Sequence, residues 1–134
     1  GRRQFSSDLR ELPALRSFVL NLCQQAWDTP ADELALSQIE LALAEAASNV
    51  VRHAYEGQPG QPIEVVVEAD DQKIAVSLYH LGKGFDPDTV APPEFSGQRE
   101  GGFGIYLMRA AMDEVSYFHD EGGRHGVRLV KNRP

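Results

Sequence analysis

The chain has 134 residues, of which 42% are hydrophobic and 25% are charged, a balance typical of a globular protein with one core. Its formal net charge is −7. This acidic balance argues against nucleic acid or an anionic membrane as a partner, because both need clustered lysines and arginines. The single cysteine, Cys23, excludes an intramolecular disulfide and a metal site built from cysteines.

We predict a single domain spanning residues 1–134. The sequence contains no signal peptide and no apolar run of about 18 residues, so a cytoplasmic location is the default expectation. The first residue is Gly1 rather than methionine, which suggests a fragment trimmed or excised from a longer chain.

The N-terminal half of the chain predicts one strand followed by two helices. Residues 2–6 suit a short edge strand. Apolar residues then recur at three- and four-residue spacings from Leu9 to Trp27, which predicts an amphipathic helix. Thr29 and Pro30 are typical of an N-cap and a first helical position, and the second helix is predicted to run from there to about Tyr55.

The C-terminal half predicts four strands, a long loop and a third helix. Residues 63–69 and 74–78 alternate apolar with more polar side chains, which predicts a hairpin of two strands. Leu81 to Gly102 is rich in glycine and proline and predicts a loop, and Phe103 to Met112 predicts a short helix. The closing strands are predicted at residues 115–118 and 127–130. This order predicts an α+β two-layer sandwich, in which three helices cover one face of a mixed, mostly antiparallel sheet.

The second helix ends in a stretch with unusual polar content, EAASNVVRHAY from Glu45 to Tyr55. Glu45, Asn49 and His53 are four residues apart, so they lie along one stripe of the helix. Asparagine is disfavoured inside a helix because its side chain competes for backbone hydrogen bonds. A solvated charge is the simpler interpretation of Glu45 alone. Taken together, the three residues suit the wall of a polar pocket.

Two glycine-containing motifs lie further along the chain. HLGKGFDP, from His80 to Pro87, follows the end of a strand, and GGFG, from Gly101 to Gly104, opens the third helix. Glycines at a helix start leave backbone N–H groups free, and the helix dipole favours an anion there. Each motif alone is common in turns, but their fixed order after a Glu-x-x-x-Asn helix is far more specific.

In this order, the three motifs resemble those of the GHKL ATPase superfamily, whose ATP-binding fold is also called the Bergerat fold. Within it, the chain is similar to the bacterial anti-sigma-factor serine kinases, from about Leu9 to Val130. EAASNVVRHAY resembles the N box of this branch, GKGFDP its first glycine box and GGFGIYLM its second. The resemblance implies that residues 86–101 form the ATP lid.

The resemblance implies a site for ATP and Mg²⁺. Asn49 would coordinate Mg²⁺, for which an amide oxygen is a suitable ligand. Glu45, one turn earlier, would be the general base that takes a proton from an attacking serine hydroxyl. The other positions assigned to nucleotide binding are His53, His80, Gly82, Gly84, Arg99, Gly102, Phe103 and Gly104.

Within that set, the resemblance divides the work between the two ends of a nucleotide. Gly82 and Gly84 would shape the adenine and ribose side of the pocket. Gly102 and Gly104 would bring backbone N–H groups to the phosphates. Arg99 would reach the γ-phosphate from the lid, so that catalysis would consist mainly of positioning and charge stabilisation.

The adenine side departs from the family pattern. The first glycine box normally begins with an aspartate that accepts a hydrogen bond from the adenine amino group, and here that position is His80. A neutral imidazole accepts such a bond only in the right tautomer, and a protonated one cannot. Near the last strand, where the family often has a threonine that supports the same contact, the sequence is Arg124-His125-Gly126. The sequence therefore predicts an altered adenine side beside an intact phosphate side.

The resemblance predicts a protein serine/threonine kinase that phosphorylates an anti-anti-sigma protein of the STAS type. Sequestration of a sigma factor is a second expected role, so that transcription would respond to which partner is bound. Homodimerisation is expected from the family alone.

Three alternatives remain open. One is a degenerate, non-catalytic GHKL module that binds a regulatory partner with weak or no ATP binding. Another is the ATP-binding domain of a histidine kinase, which the ending of the N box disfavours. A metal site built from histidines is the third, although the spacings match no known ligand pattern. Its members would be His53, His80, His119 and His125.

Overall fold

The computed structural model of the protein describes residues 1–85 and 103–134, and at Phe103 it describes the backbone alone. The lid expected at residues 86–101, with Arg99, and also Gly102, lie outside the described residues.

Five strands form one sheet, and its spatial order is β1-β2-β3-β5-β4. Each of the four pairings is antiparallel, so the described sheet is antiparallel throughout rather than mixed. The predicted edge position of the first strand and the predicted hairpin are both confirmed. The strands are β1 (Arg2–Ser6), β2 (Pro62–Ala69), β3 (Lys73–His80), β4 (Glu114–His119) and β5 (His125–Asn132).

The described helices are α1 (Leu12–Ala26), α2 (Glu33–Asn49) and α3 (Phe103–Ala111). Short 3₁₀ turns at Leu9–Glu11 and Pro30–Asp32 lead into the first two, which explains why the predicted starts at Leu9 and Pro30 precede the regular helices. The predicted cap is present as well. The Thr29 backbone N–H and side-chain hydroxyl both donate to Oδ2 of Asp32, at 3.2 and 2.8 Å.

The core lies between the helices and one face of the sheet. On α1 the buried side chains are Leu15, Val19 and Cys23, which recur at four-residue steps as an amphipathic helix requires. The inward positions of the three central strands are fully buried or nearly so. They are Ile63, Val65, Val67, Ile74, Val76, Leu78, Val127 and Leu129. The α+β two-layer sandwich is therefore confirmed.

The second helix differs from the prediction at its end. Regular α-helix stops at Asn49, and Val50–Ala54 form a π-helical turn. The wider turn closes with the Tyr55 N–H donating to the Val50 carbonyl at 3.0 Å. The Ala54 carbonyl accepts instead from the Lys83 N–H, at 2.9 Å, so the helix end is bound to the loop after β3. Such π-helical turns occur frequently at functional sites.

Within the part of the chain that the structure describes, no helix has the length and apolar character needed to cross a bilayer.

Candidate functional site

A cavity of about 560 Å³ lies between the end of α2, the start of α3 and the adjoining ends of β3 and β5. Six residues that the sequence assigned to a site line it, namely Glu45, Asn49, His53, His80, Gly84 and Gly104. Among the lining residues that the sequence did not assign are Arg52, Lys83, Phe85, Tyr117, Phe118 and His125. Residues from five separate stretches of the chain therefore meet at one opening.

The polar end of this cavity joins α2 to the first turn of α3. A Cβ atom built on Gly104 would lie 3.0 Å from the Glu45 Oε2 atom and 3.3 Å from the Asn49 Nδ2 atom. The glycine thus leaves open the space directly against the carboxylate and the amide. Both side chains are half-buried. His53, one turn beyond Asn49, is exposed at the rim.

The loop after β3 is held tightly against the π-helical turn. A Cβ atom on Gly82 would lie 2.4 Å from the Ala54 carbonyl oxygen, a distance that no side chain tolerates. Gly82 is therefore required for packing behind the cavity wall and does not line the cavity itself. Gly84 lies against His125, because its Cβ atom would come within 2.7 Å of that ring.

Tyr55 fastens the same loop from the other side, a role that the sequence did not reveal. Its hydroxyl donates to the Pro62 carbonyl at 2.6 Å and accepts from the Leu81 N–H at 2.7 Å. The ring is buried and meets the edge of His80, with ring centroids 5.8 Å apart. The available signal was the His-Ala-Tyr ending of the stretch, where a buried tyrosine needs hydrogen-bond partners for its hydroxyl.

Three histidines lie side by side across the sheet, and two of them, His80 and His125, line the cavity. His80 on β3 is opposite His125 on β5, which is opposite His119 on β4. The rings stack, with centroids 6.1 and 4.5 Å apart. Within residues 1–85 and 103–134, no group of three or more histidine, cysteine or acidic side chains is arranged to hold a metal ion. The structure therefore gives the alternative of a histidine metal site no support.

His80 is neutral, and one of its two nitrogens is already engaged. Only 6% of the residue is exposed, and burial, followed by the charge of His125, lowers the pKa of His80 to about 4. The Gly82 backbone N–H donates to the His80 Nδ1 atom at 3.1 Å. Since Nδ1 must accept this bond, the ring proton of the neutral imidazole is on Nε2.

Aromatic side chains form the rest of this end. The rings of Phe85 and Tyr117 are in contact, with centroids 4.6 Å apart. Burial raises the pKa of Tyr117 to about 12, so its hydroxyl stays protonated. These residues were not predicted, because their approach depends on the register of β4 against β5. The cavity thus has one polar end and one aromatic end.

A helix that brings an asparagine and a glutamate against a glycine in the first turn of another helix, beside an antiparallel sheet, is the arrangement of a GHKL-type ATPase domain. The family model for the histidine kinase-like ATPase domain matches residues 5–131, and the chain belongs to this family.

Three relatives within the family have the name serine-protein kinase RsbW. The chain is 31% identical over 96 residues to the serine-protein kinase RsbW of Listeria innocua, covering 66% of this chain and 61% of that protein. The RsbW protein of Listeria monocytogenes has the same identity and coverage. For the RsbW protein of Bacillus cereus the identity is 30% over 95 residues, covering 65% of this chain and 59% of that protein. The chain thus spans about 60% of the length of these curated relatives.

Proposed function

We propose that this chain is a Mg²⁺-dependent protein serine/threonine kinase domain of the anti-sigma-factor type, with ATP as the phosphate donor. The observation that supports it best is the meeting of Glu45, Asn49 and Gly104 at one end of the cavity. Oxygen atoms from an amide and a carboxylate suit a hard cation and a proton transfer, and the missing Cβ of Gly104 leaves room beside both.

The residues present fit a Mg²⁺–triphosphate group. Asn49 would hold Mg²⁺ through its amide oxygen, and Mg²⁺ commonly takes only one or two protein ligands. The first turn of α3, beginning at Phe103, would offer free backbone N–H groups and the positive end of its dipole to the phosphates. When bound, Mg²⁺ would neutralise part of the phosphate charge. The cavity volume of about 560 Å³ is within the usual range for small-molecule sites.

Glu45 is the residue we propose as general base. It lies one helical turn before Asn49, beside the same glycine, so a hydroxyl brought to the phosphate end would be near its carboxylate. The carboxylate would take the proton of the hydroxyl as the oxygen attacks phosphorus. General-base catalysis of this kind contributes on the order of 10²–10⁴ to a rate.

The protein substrate we propose is a STAS-type anti-anti-sigma protein phosphorylated on serine, with a sigma factor as the competing partner. The name of the relatives, serine-protein kinase, supports the acceptor residue. The partners themselves follow from the resemblance of the three motifs. We also propose phosphate contacts for Arg99 and Gly102, as the resemblance implies, and homodimerisation stays a prediction.

The test of this proposal is phosphate transfer by a variant at Glu45. Glu45→Gln keeps the size of the side chain and removes its basicity, so transfer from radiolabelled ATP to purified STAS-domain proteins should fall by about 100-fold or more. The affinity for Mg²⁺–ATP should stay within about threefold, because the glutamine still fills the same space. Glu40→Gln is the matched control, since Glu40 is on the same helix and does not line the cavity.

Two results would contradict the proposal. Equal transfer by the wild type and Glu45→Gln would remove Glu45 from the chemistry. Binding of a STAS-domain protein without any nucleotide binding or serine phosphorylation would favour the non-catalytic interaction module instead.

A further inference from the structure

The two ends of the cavity differ enough to orient a nucleotide. The end with Glu45, Asn49 and Gly104 is polar and adjoins a helix start, which suits a triphosphate with its cation. The opposite end is walled by the flat rings of His80 and Tyr117 and their neighbours, which suits a purine. A nucleotide bound in this orientation would place its base next to His80.

The tautomer of His80 is fixed by the backbone. If Nδ1 carried the proton, it would face the Gly82 N–H at 3.1 Å, and two donors would meet with no acceptor between them. Gly82 has no freedom to turn away. A Cβ atom built on it would lie 2.4 Å from the Ala54 carbonyl oxygen, and the next residue, Lys83, donates its N–H to that carbonyl. The ring therefore presents Nε2–H, a donor, as its free hydrogen-bonding group.

This donor is open to the cavity. Among the described residues, the His80 ring makes one hydrogen bond, in which Nδ1 accepts from the Gly82 N–H. The Nε2 atom of the ring has no partner among these residues. No fully buried side-chain nitrogen or oxygen among the described residues lacks a partner. The Nε2 atom must therefore reach open volume, and the volume that His80 lines is the cavity. Its N–H is available to a bound molecule.

We propose that the site selects purine triphosphates with a hydrogen-bond acceptor at position 6, a 6-oxo group, in preference to the 6-amino group of adenine. The Nε2–H of His80 would donate to the 6-oxo oxygen of a guanine or hypoxanthine base. An amino group at the same position would meet a second donor, and neither would be paired. The inference rests on the proposed function, since it names the nucleotide that the same site prefers.

The test compares the Mg²⁺ complexes of inosine triphosphate (ITP) and ATP by titration calorimetry, with GTP as a third ligand. ITP and ATP differ on the same purine frame at position 6 and at N1, which carries a proton in hypoxanthine and is an acceptor in adenine. The ratio of their affinities therefore reports on this edge of the base, and the variants at His80 assign it to that residue. We expect ITP to bind about tenfold more tightly than ATP to the wild type, the change in affinity that one added hydrogen bond gives. GTP should follow ITP.

His80→Asp should reverse the preference. A carboxylate still accepts from the Gly82 N–H and offers a second acceptor to the base, so ATP should bind more tightly than ITP. His80→Asn should keep the ITP preference, because its Oδ1 atom replaces Nδ1 and its amide N–H donates. His119→Asp is the matched control, because His119 is exposed and does not line the cavity, and it should leave the ratio of the two affinities unchanged.

The measured affinities distinguish a wrong base preference from a wrong proposed function. Tighter binding of ATP than ITP to the wild type, or equal binding, would overturn the base preference while leaving a working nucleotide site. Absence of binding by all three complexes to folded protein would overturn the proposed function and the inference with it. The comparison of ITP with ATP uses the wild type, so it tests the base preference even if His80→Asp does not fold.

Discussion

Burial of a neutral histidine gives the protein a pH dependence with a definite sign. The pKa of His80 is lowered from its ordinary value of 6.5 to about 4 in the folded state. As the pH falls through 6.5, the unfolded chain takes up a proton that the folded chain refuses until about pH 4. The unfolded state therefore binds more protons in this window, and the free energy of unfolding falls as the pH falls through it.

The magnitude follows from the difference between the two pKa values. A difference of about 2.5 units corresponds to about 3 kcal/mol in full. Between pH 7 and pH 4.5, the contribution of His80 to the free energy of unfolding falls by about 2 kcal/mol. The fall is smaller than the full value because His80 in the folded protein begins to take up a proton near pH 4.5. This window lies above the one for Asp8 and Asp32. A hydrogen bond from Arg10 lowers the pKa of Asp8 to about 2, and one from Arg133 does the same for Asp32. The stability that these two carboxylates contribute is therefore lost only as the pH falls below their ordinary value of 3.8.

The assay is urea unfolding of the wild type, His80→Asn and His53→Asn, followed by circular dichroism at both pH values. Asparagine keeps an acceptor for the Gly82 N–H and removes the titrating ring. We expect the wild type to lose about 2 kcal/mol more than His80→Asn between pH 7 and pH 4.5. His53→Asn should behave as the wild type, because His53 is exposed. Equal losses in the wild type and His80→Asn would show that the pKa of His80 is not lowered in the folded state.

Three substitutions test the packing around the site. In a urea titration, Gly82→Ala should lower the free energy of unfolding by about 1–3 kcal/mol, because its Cβ would meet the Ala54 carbonyl at 2.4 Å. Gly122→Ala is the control and should change the free energy of unfolding little, because its Cβ would have its nearest contact at 3.5 Å. Tyr55→Phe leaves the Leu81 N–H and the Pro62 carbonyl unpaired, which should cost about 1–3 kcal/mol by thermal unfolding. Gly104→Ala should raise the Kd of Mg²⁺–ATP about tenfold in calorimetry with little change in stability, because its methyl group takes the space beside Glu45.

The elements of the fold were predictable because their signals are local. The spacing of Leu15, Val19 and Cys23 identifies a helix face without knowledge of what covers it. The alternation from Ile63 to Val67 likewise identifies a strand. The stripe of Glu45 and Asn49 was visible for the same reason, since a helix turns by a known angle at each residue. All of these depend on neighbours within a few positions.

The remaining features depend on pairings between distant parts of the chain. His80, His119 and His125 become neighbours only through the register of β3, β5 and β4. The tautomer of His80 depends on where the Gly82 N–H points, and that is set by how the loop packs on the π-helical turn. The sequence showed that the usual aspartate is replaced, but not which hydrogen bond its replacement can make.

Binding of a Mg²⁺–purine triphosphate in the cavity at Asn49 can be measured by calorimetry. ATP and ITP are each titrated into the wild type and Asn49→Ala, with and without Mg²⁺. Gln38→Ala serves as the control, since Gln38 is on α2 away from this cavity. We expect binding that requires Mg²⁺, that persists in Gln38→Ala and that is lost in Asn49→Ala. Unchanged affinity in Asn49→Ala, or no binding of either nucleotide to folded wild type, would contradict it.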